Sequence, residues 1–488
     1  MSEKITIIGA GSLVFARTLF TDLMSIPELR NFEYIFTDIN ADNLEKTRAL
    51  CQRDIDGNGI NKTIIATTNR REALKDARYI INLIRVGGLE AFEMDIDIPL
   101  KYGVDQCVGD TLCIGGIMYG QRVIATMLDI CQDIREVAEK DALLLNYSNP
   151  MAMATWACNK YGKVRTIGLC HGEIHGEFQI AEVLGIPRNE LNIICAGINH
   201  QTWYLSVKHQ GRELKDQLLQ GFTTHERFKK EEKVRIDMLK RFGYYSTESN
   251  GHLSEYVAWY RKRPAEIQKW IDTSGWIHGE TGGYLRITQE ERDWFDVEYP
   301  NVLKEEIRRY DGSQRGLEHA SYIIEALETG RVYRGHLNVV NESTITNLAT
   351  DAIVEVPCYV DRNGINVPRV GDLPLGPAAV CSQSIWVQRL AVEAAVNGDV
   401  TLLKQSALLD PLTGAVCNPP EVWQMVDELL IAQERWLPQY YGEIQKIKKD
   451  WQADDLIPTN AHYKGAIRFK AKTPEQVQVE RDNRKITV

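Results

Sequence analysis

A short apolar run that opens straight into a glycine turn constrains this chain more than any other feature: Lys4-Ile-Thr-Ile-Ile-Gly9-Ala-Gly11-Ser12-Leu-Val-Phe15. The pattern is that of a buried β-strand, a tight turn and the start of a helix. Glycines at such a turn let backbone N–H groups approach a pyrophosphate, and a helix N-terminus favours its negative charge. The chain continues to Tyr34-Ile-Phe-Thr-Asp38, a second strand that ends in an acid. An acid there accepts the ribose hydroxyls of NAD and repels a 2′-phosphate. The third glycine of the fingerprint is absent, Val14 standing in its place. A strand–turn–helix without a ligand would share the pattern, but its N-terminal position and Asp38 favour NAD.

Strand and helix signals alternate from residue 1 to 195. Thr63–Thr67, Ala77–Ile84, Ala142–Asn146 and Val164–Cys170 read as strands, and Arg122–Lys140 and Met151–Tyr161 as helices. Such a series builds a mostly parallel, doubly wound sheet of the Rossmann, lactate/malate dehydrogenase-like kind, with ligands beyond the carboxyl ends of its strands. Those ends carry Asp38, Gly87-Gly88, Asn146, Asn149 and Cys170-His171. NAD is accordingly expected against Gly9, Gly11, Ser12, Asp38, Gly87 and Asn146.

A length of 488 residues calls for two packed domains. From Asn192 onward the pattern changes to a mixture of strands (193–198, 202–207, 337–340, 353–360) and long helices (226–241, 315–329, most of 379–451). The expected organisation is an NAD-binding domain over 1–195, a mixed α+β domain for substrate, metal and oligomerisation over 196–453, and a polar C-terminal extension over 454–488. No linker rich in Pro, Gly or Ser separates the halves. A net charge of −10 disfavours nucleic acid or an anionic membrane as partner. No apolar run approaches the ~20 residues of a membrane span. The first residues do not read as a signal peptide, and ten scattered cysteines read as reduced thiols, so a cytoplasmic location is expected.

Three groups carry chemistry. Cys170-His171 closes a strand, His200 ends the run Cys195-Ala-Gly-Ile-Asn-His200, and Gly243–Tyr256 is rich in Tyr and Glu. A thiolate and an imidazole make a plausible pair for a divalent metal with open positions for substrate oxygens. Taken singly, Cys170 would pass for a core thiol and His200 for a hydrogen-bonding residue. Their joint placement at strand ends raises the pair above that.

Six runs, in order along the chain, resemble glycoside hydrolase family four: Gly9–Ser12, Asp110–Gly116, Asn146–Met153, Gly168–Gly172, Cys195–His200 and Thr247–Ser249. These are the NAD-dependent exception to two-carboxylate glycosidases. The Asn146–Met153 and Cys195–His200 runs look nearest the melibiase-like α-galactosidase branch. The resemblance implies oxidation of the sugar at C3 by NAD⁺, deprotonation at C2, elimination of the aglycone, addition of water and return of the hydride. It implies Mn²⁺, or another divalent metal, on Cys170 and His200, substrate contacts from Asn149 and Glu248, and Tyr256 as the C2 base. His171 is then the first candidate for the leaving-group acid and Asp110 the second. Tyr244, Tyr245 and Tyr260 compete for the role of base.

The resemblance further implies a small oligosaccharide or α-glycoside substrate and a homodimer or homotetramer. His171 stands where relatives acting on 6-phosphosugars carry Asn or Asp, which disfavours a phosphate site. Gly172 and Glu173 depart from the melibiase-like pattern, and Cys170-His-Gly172 is similar to α-glucuronidase-type members. An α-glucuronidase, α-galacturonidase or α-glucosidase of the same family is therefore the alternative, and a lactate/malate-type dehydrogenase a more distant one. A catalytically inactive NAD sensor is disfavoured by the intact Cys170, His200 and Tyr256. The stretch 276–311 and the C-terminal extension are expected to shape the aglycone side.

Overall fold

A computed structural model describes residues 3–273, 279–451 and 456–486. Parts of two expected features lie outside these residues: 276–278 of the 276–311 stretch, and 454–455 and 487–488 of the C-terminal extension.

Strands β1 (Lys4–Ile8), β2 (Glu33–Thr37), β3 (Ile65–Thr67), β4 (Tyr79–Asn82), β5 (Leu143–Asn146) and β6 (Thr166–Gly168) are short apolar runs separated by helices. They pair in parallel in the order 3-2-1-4-5-6. That is the doubly wound order in which ligands collect outside the carboxyl ends of the strands. Ile5, Ile7, Ile80, Ile81, Leu144 and Leu145 are wholly inaccessible, as befits strands covered on both faces by helices.

The sheet does not stop at β6. Its next strand comes from far along the chain. Strands β7 (Leu191–Ile198), β8 (Gln201–His209), β9 (Arg212–Glu213), β10 (Tyr333–Val340), β11 (Ile353–Asp361) and β12 (Gly364–Asn366) extend it in antiparallel fashion. The order continues β6-β10-β11-β7-β8-β9, with β12 paired to β11. The seam is narrow: Asn338 of β10 opposite Gly168 of β6 and Glu355 of β11 opposite Gly197 of β7. The architecture is thus the expected parallel sheet plus a mixed α+β half, fused into one sheet. Residue 195 falls inside β7. The seam matters for function because it swings the β7–β8 hairpin to the carboxyl end of β6.

Local boundaries differ from the sequence reading where packing intervenes. The helix expected from Arg122 begins at Cys113 and runs to Val137. Gly115 and Gly116 sit in its first turn, and a Cβ on Gly116 would lie 2.5 Å from the carbonyl carbon of Thr111. The glycines are weak helix formers admitted because backbone must approach backbone there. The helix expected over 226–241 is broken at Glu232 into Phe228–Glu231 and Lys233–Phe242. The C-terminal extension is docked: the Ala466 amide donates to Asp105 at 2.8 Å, and helix Pro474–Ile486 lies on helix Gly283–Val302, with Trp294 Nε1 donating to Gln478. All ten cysteines are free, and among the described residues no helix is long and apolar enough to cross a membrane.

Candidate active site

The rim formed by the carboxyl ends of β1 to β6 collects the residues singled out from the sequence. At one end lies the glycine corner. Gly9 has φ +80°, and a Cβ there would come within 2.8 Å of the Leu83 carbonyl carbon, so the turn accepts only glycine. Asp38 follows β2 and takes the Gly11 amide on Oδ2 and the Asn40 amide on Oδ1, both at 2.8 Å. Ser12 is exposed just before helix Leu13–Met24, and the fully exposed Ile39 stands beside Asp38. Gly87, φ +85°, caps helix Gly88–Lys101 after β4. Asn146, at the end of β5, is buried and turned inward: its Oδ1 accepts from Asn82 Nδ2 at 2.9 Å and from the Ser148 amide at 3.1 Å. It orders the turn that presents Asn149.

At the other end of the rim, past β6, Cys170 meets His200 and Glu248. The Cys170 Sγ is 3.3 Å from His200 Nε2 and 3.8 Å from Glu248 Oε1, and His200 Nε2 is 3.9 Å from the same carboxylate oxygen. Four strand spacings separate this cluster from Asp38, a reach of about 19 Å. His200 sits in the β7–β8 hairpin at φ +63°, a conformation that a non-glycine residue adopts at a cost. The hairpin thereby drives the ring toward Cys170. Burial pulls the imidazole's pKa down. Burial also pushes the Cys170 thiol well up.

Tyr256 lies behind His200, fully buried, with its hydroxyl 3.3 Å from Nδ1 and the two rings nearly parallel. Burial pushes its pKa well above the ordinary tyrosine range, while a hydrogen bond with Thr111 acts against the shift. The competing tyrosines are engaged elsewhere. The Tyr245 hydroxyl donates to Gln179, that of Tyr260 to Asp237, and the ring of Tyr244 lies under Lys215.

A second group adjoins the first through Thr111. Asp110, itself buried, accepts from Asn149 Nδ2 and from the Thr111 hydroxyl, both at 3.0 Å, with the Arg85 guanidinium 3.6 Å away. Its loop is held by Glu255, whose carboxylate accepts the amides of Cys107, Val108 and Gly109 at 2.7, 3.1 and 2.9 Å. His171 is half-exposed at the mouth. Burial pulls its pKa down, but Glu318, 3.0 Å from Nδ1, outweighs this and raises it to about 9. Glu248 is the converse: burial pushes its pKa up, and the ring of His200, His252, His171 and His175 holds it at about 2.

The sequence reading did not assign roles to Arg85, Glu255, His252 or Glu318. Arg85 directly follows the strand Ala77–Ile84, and His252 and Glu255 lie within the Tyr- and Glu-rich run Gly243–Tyr256. Glu318 had no local signal, because its partner is 147 positions away in the chain, at His171.

The chain matches the family model described as "Family 4 glycosyl hydrolase" over residues 4–186 and that of the family's C-terminal domain over residues 195–413. It is 56% identical over 486 residues to an alpha-galactosidase of Rhizobium meliloti (strain 1021), with 99% of both chains covered. An alpha-galactosidase of Bacillus subtilis (strain 168) is 34% identical over 444 residues, covering 90% of this chain and 100% of that protein. Two solved structures share the fold. A 6-phospho-alpha-glucosidase from gut microorganisms, in complex with NAD and glucose-6-phosphate, superimposes with a TM-score of 0.74 at 24% identity, covering 89% of this chain and 99% of that one. A 6-phospho-beta glucosidase from Thermotoga maritima, with manganese, NAD⁺ and glucose-6-phosphate, does so with a TM-score of 0.73 at 21% identity and the same coverage.

Proposed function

The chain belongs to family 4 of the glycosyl hydrolases, and from that premise we propose that it hydrolyses unphosphorylated α-galactosides with NAD and a divalent metal. The observation that carries the reading is the meeting of Cys170, His200 and Glu248 against Tyr256. The substrate rests on the 56% identity to an alpha-galactosidase over nearly the whole of both chains. The residues fit both groups. The donor pair of thiol and imidazole suits Mn²⁺ or a similar ion. The N-terminus of helix Leu13–Met24, which no side chain caps, follows the Gly9–Gly11 turn beside an Asp38 carboxylate already held in place for ribose hydroxyls. On this reading the dinucleotide belongs to residues 1–195, and residues 196–453 complete the sugar and metal site.

When bound, NAD would accept hydride from C3 of the sugar and the metal would polarise the oxygens there, which acidifies the hydrogen on C2. Tyr256 acts as the phenolate, its own hydroxyl proton having left before the sugar reacts, and takes that proton on Oη. His200 holds its own proton on Nδ1, toward the tyrosine oxygen, because Nε2 faces Cys170. Asn149 and Asp110, bonded to one another, present an amide and a carboxylate to sugar hydroxyls. His171, paired with Glu318, stands at the mouth as the donor to the departing glycosidic oxygen.

A panel of nitrophenyl glycosides assayed with NAD⁺, Mn²⁺ and a thiol reductant tests the proposal. The α-galactoside is expected to turn over and the α-glucoside and α-galacturonide to lag. Turnover led by the α-galacturonide would move the protein to another branch of the family. We further assign the chain to the cytoplasm as a homo-oligomer, in keeping with its ten free thiols. Sedimentation velocity of the purified protein tests the oligomer.

A further inference from the structure

We infer that Glu248 is a third protein donor to the metal held by Cys170 and His200, and that Gly172 is a glycine in order to admit it. The inference rests on the metal-dependent reading above and changes the role of Glu248 from a sugar contact to a ligand.

Three distances carry it. Cys170 Sγ, His200 Nε2 and Glu248 Oε1 form a nearly equilateral triangle with sides of 3.3, 3.8 and 3.9 Å. The centre of such a triangle is about 2.1 Å from each corner, the length of a metal–donor bond to imidazole or carboxylate and only slightly short for a thiolate. Among the described residues this is the one group of three such side chains whose ligand atoms converge within 4.8 Å.

Glu248 is also supported as a ligand should be. The backbone of Thr247 is stitched to β8, its amide donating to Thr202 O at 2.8 Å while its hydroxyl accepts the Thr202 amide at 3.1 Å. Glu248 is therefore anchored to the strand that follows His200. Its other oxygen, Oε2, lies 3.7 Å from His252 Nδ1, which leaves Oε1 as the donor. The charges also balance, because a thiolate and a carboxylate match one divalent cation. Three protein donors with positions left over are the usual composition of a catalytic metal site, and the open positions would face sugar oxygens.

Gly172 provides the gap. A Cβ built on it would lie 1.6 Å from Glu248 Oε1, so a side chain at this position would displace the carboxylate or the backbone beneath it. Gly172 departs from the melibiase-like pattern, and the carboxylate gives that departure a physical reason.

The test is Mn²⁺ binding to the full-length chain without sugar, followed by loss of the free-ion EPR signal, for wild type, Glu248→Gln, Gly172→Ala, Cys170→Ser and His200→Ala. NAD binding serves as the folding control. Glu248→Gln and Gly172→Ala should each weaken Mn²⁺ binding at least tenfold while NAD binding is retained. In a Co²⁺-loaded Glu248→Gln protein the thiolate charge-transfer band should persist while the d–d bands shift. If Glu248→Gln binds Mn²⁺ as wild type does and only KM for the glycoside rises, the carboxylate is a sugar contact and the inference is wrong. If Gly172→Ala alone leaves affinity unchanged, the role given to Gly172 is wrong. Mn²⁺ retained by both Cys170→Ser and His200→Ala would overturn the underlying metal reading instead.

Discussion

His200 turns one ring nitrogen to Cys170 and the other to Tyr256: Nε2 lies 3.3 Å from Sγ, and Nδ1 lies 3.3 Å from the tyrosine hydroxyl. With Nε2 given to a cation, the ring proton rests on Nδ1 and the tyrosine oxygen becomes the acceptor. That arrangement favours the phenolate at a hydroxyl whose burial alone opposes ionisation. A single imidazole thus joins the proposed metal ligands to the proposed base.

Tyr256→Phe keeps the ring that packs on His200 and removes the proton acceptor. Turnover should fall by roughly 10²–10⁴-fold, the ordinary worth of a general base, with NAD and Mn²⁺ binding retained. Product formed by the wild type in D₂O should carry deuterium at C2, read by NMR, and the variant should lose that exchange. Product from the wild type with no deuterium at C2 would reject elimination chemistry altogether.

Asp38→Asn removes charge while leaving an oxygen able to accept the Gly11 amide. The preference for NAD⁺ over NADP⁺, measured as the ratio of kcat/KM values, should narrow because the 2′-phosphate no longer meets a carboxylate. A ratio unchanged from wild type would mean that Asp38 serves the turn alone.

Glu255→Gln offers one oxygen to three amides that now share two. An unsatisfied buried N–H costs about 1–3 kcal/mol, so the urea midpoint should drop. Because the loop leads to Asp110 and Glu255 adjoins Tyr256, kcat should also fall while the Kd for NAD stays put. A stability loss without any change in kcat would confine Glu255 to holding the fold.

Asp410 offers a pH signature away from the site. Its carboxylate accepts the Cys113 and Thr413 amides, and burial raises its pKa from 3.8 to about 6. The folded state therefore holds this proton more tightly than the unfolded chain. The associated stability is complete below pH 3.8 and is lost as pH rises through about 6, by about 3 kcal/mol in all. Asp410→Asn does not titrate, so its stability deficit against wild type should be largest at low pH and shrink by that amount above pH 6. A deficit independent of pH in urea titrations would contradict the shift.

The residues that the amino-acid sequence determined by itself are those whose roles are local. Gly9, Gly11 and Asp38 were legible because a strand, a turn and a helix start are adjacent in the chain, and steric limits on φ leave glycine little competition at Gly9. The parallel order was legible because alternating apolar runs and helices admit few other topologies. Cys170 and His200 could be paired through motifs at strand ends, and Tyr256 nominated through the family resemblance, but the geometry of their meeting was not legible. Their meeting depends on β10 and β11 entering the sheet between β6 and β7, across 130 or more residues of chain, and periodicity carries no information on such pairing. The same holds for Glu255 reaching back to residues 107–109 and Glu318 reaching His171. Even Asn146, read as facing a cofactor, has its amide drawn inward by Asn82. Local sterics and apolar patterning act within a few residues and are written in the sequence. Distances between donors from separate elements are fixed only when burial of the whole sheet brings those elements into contact.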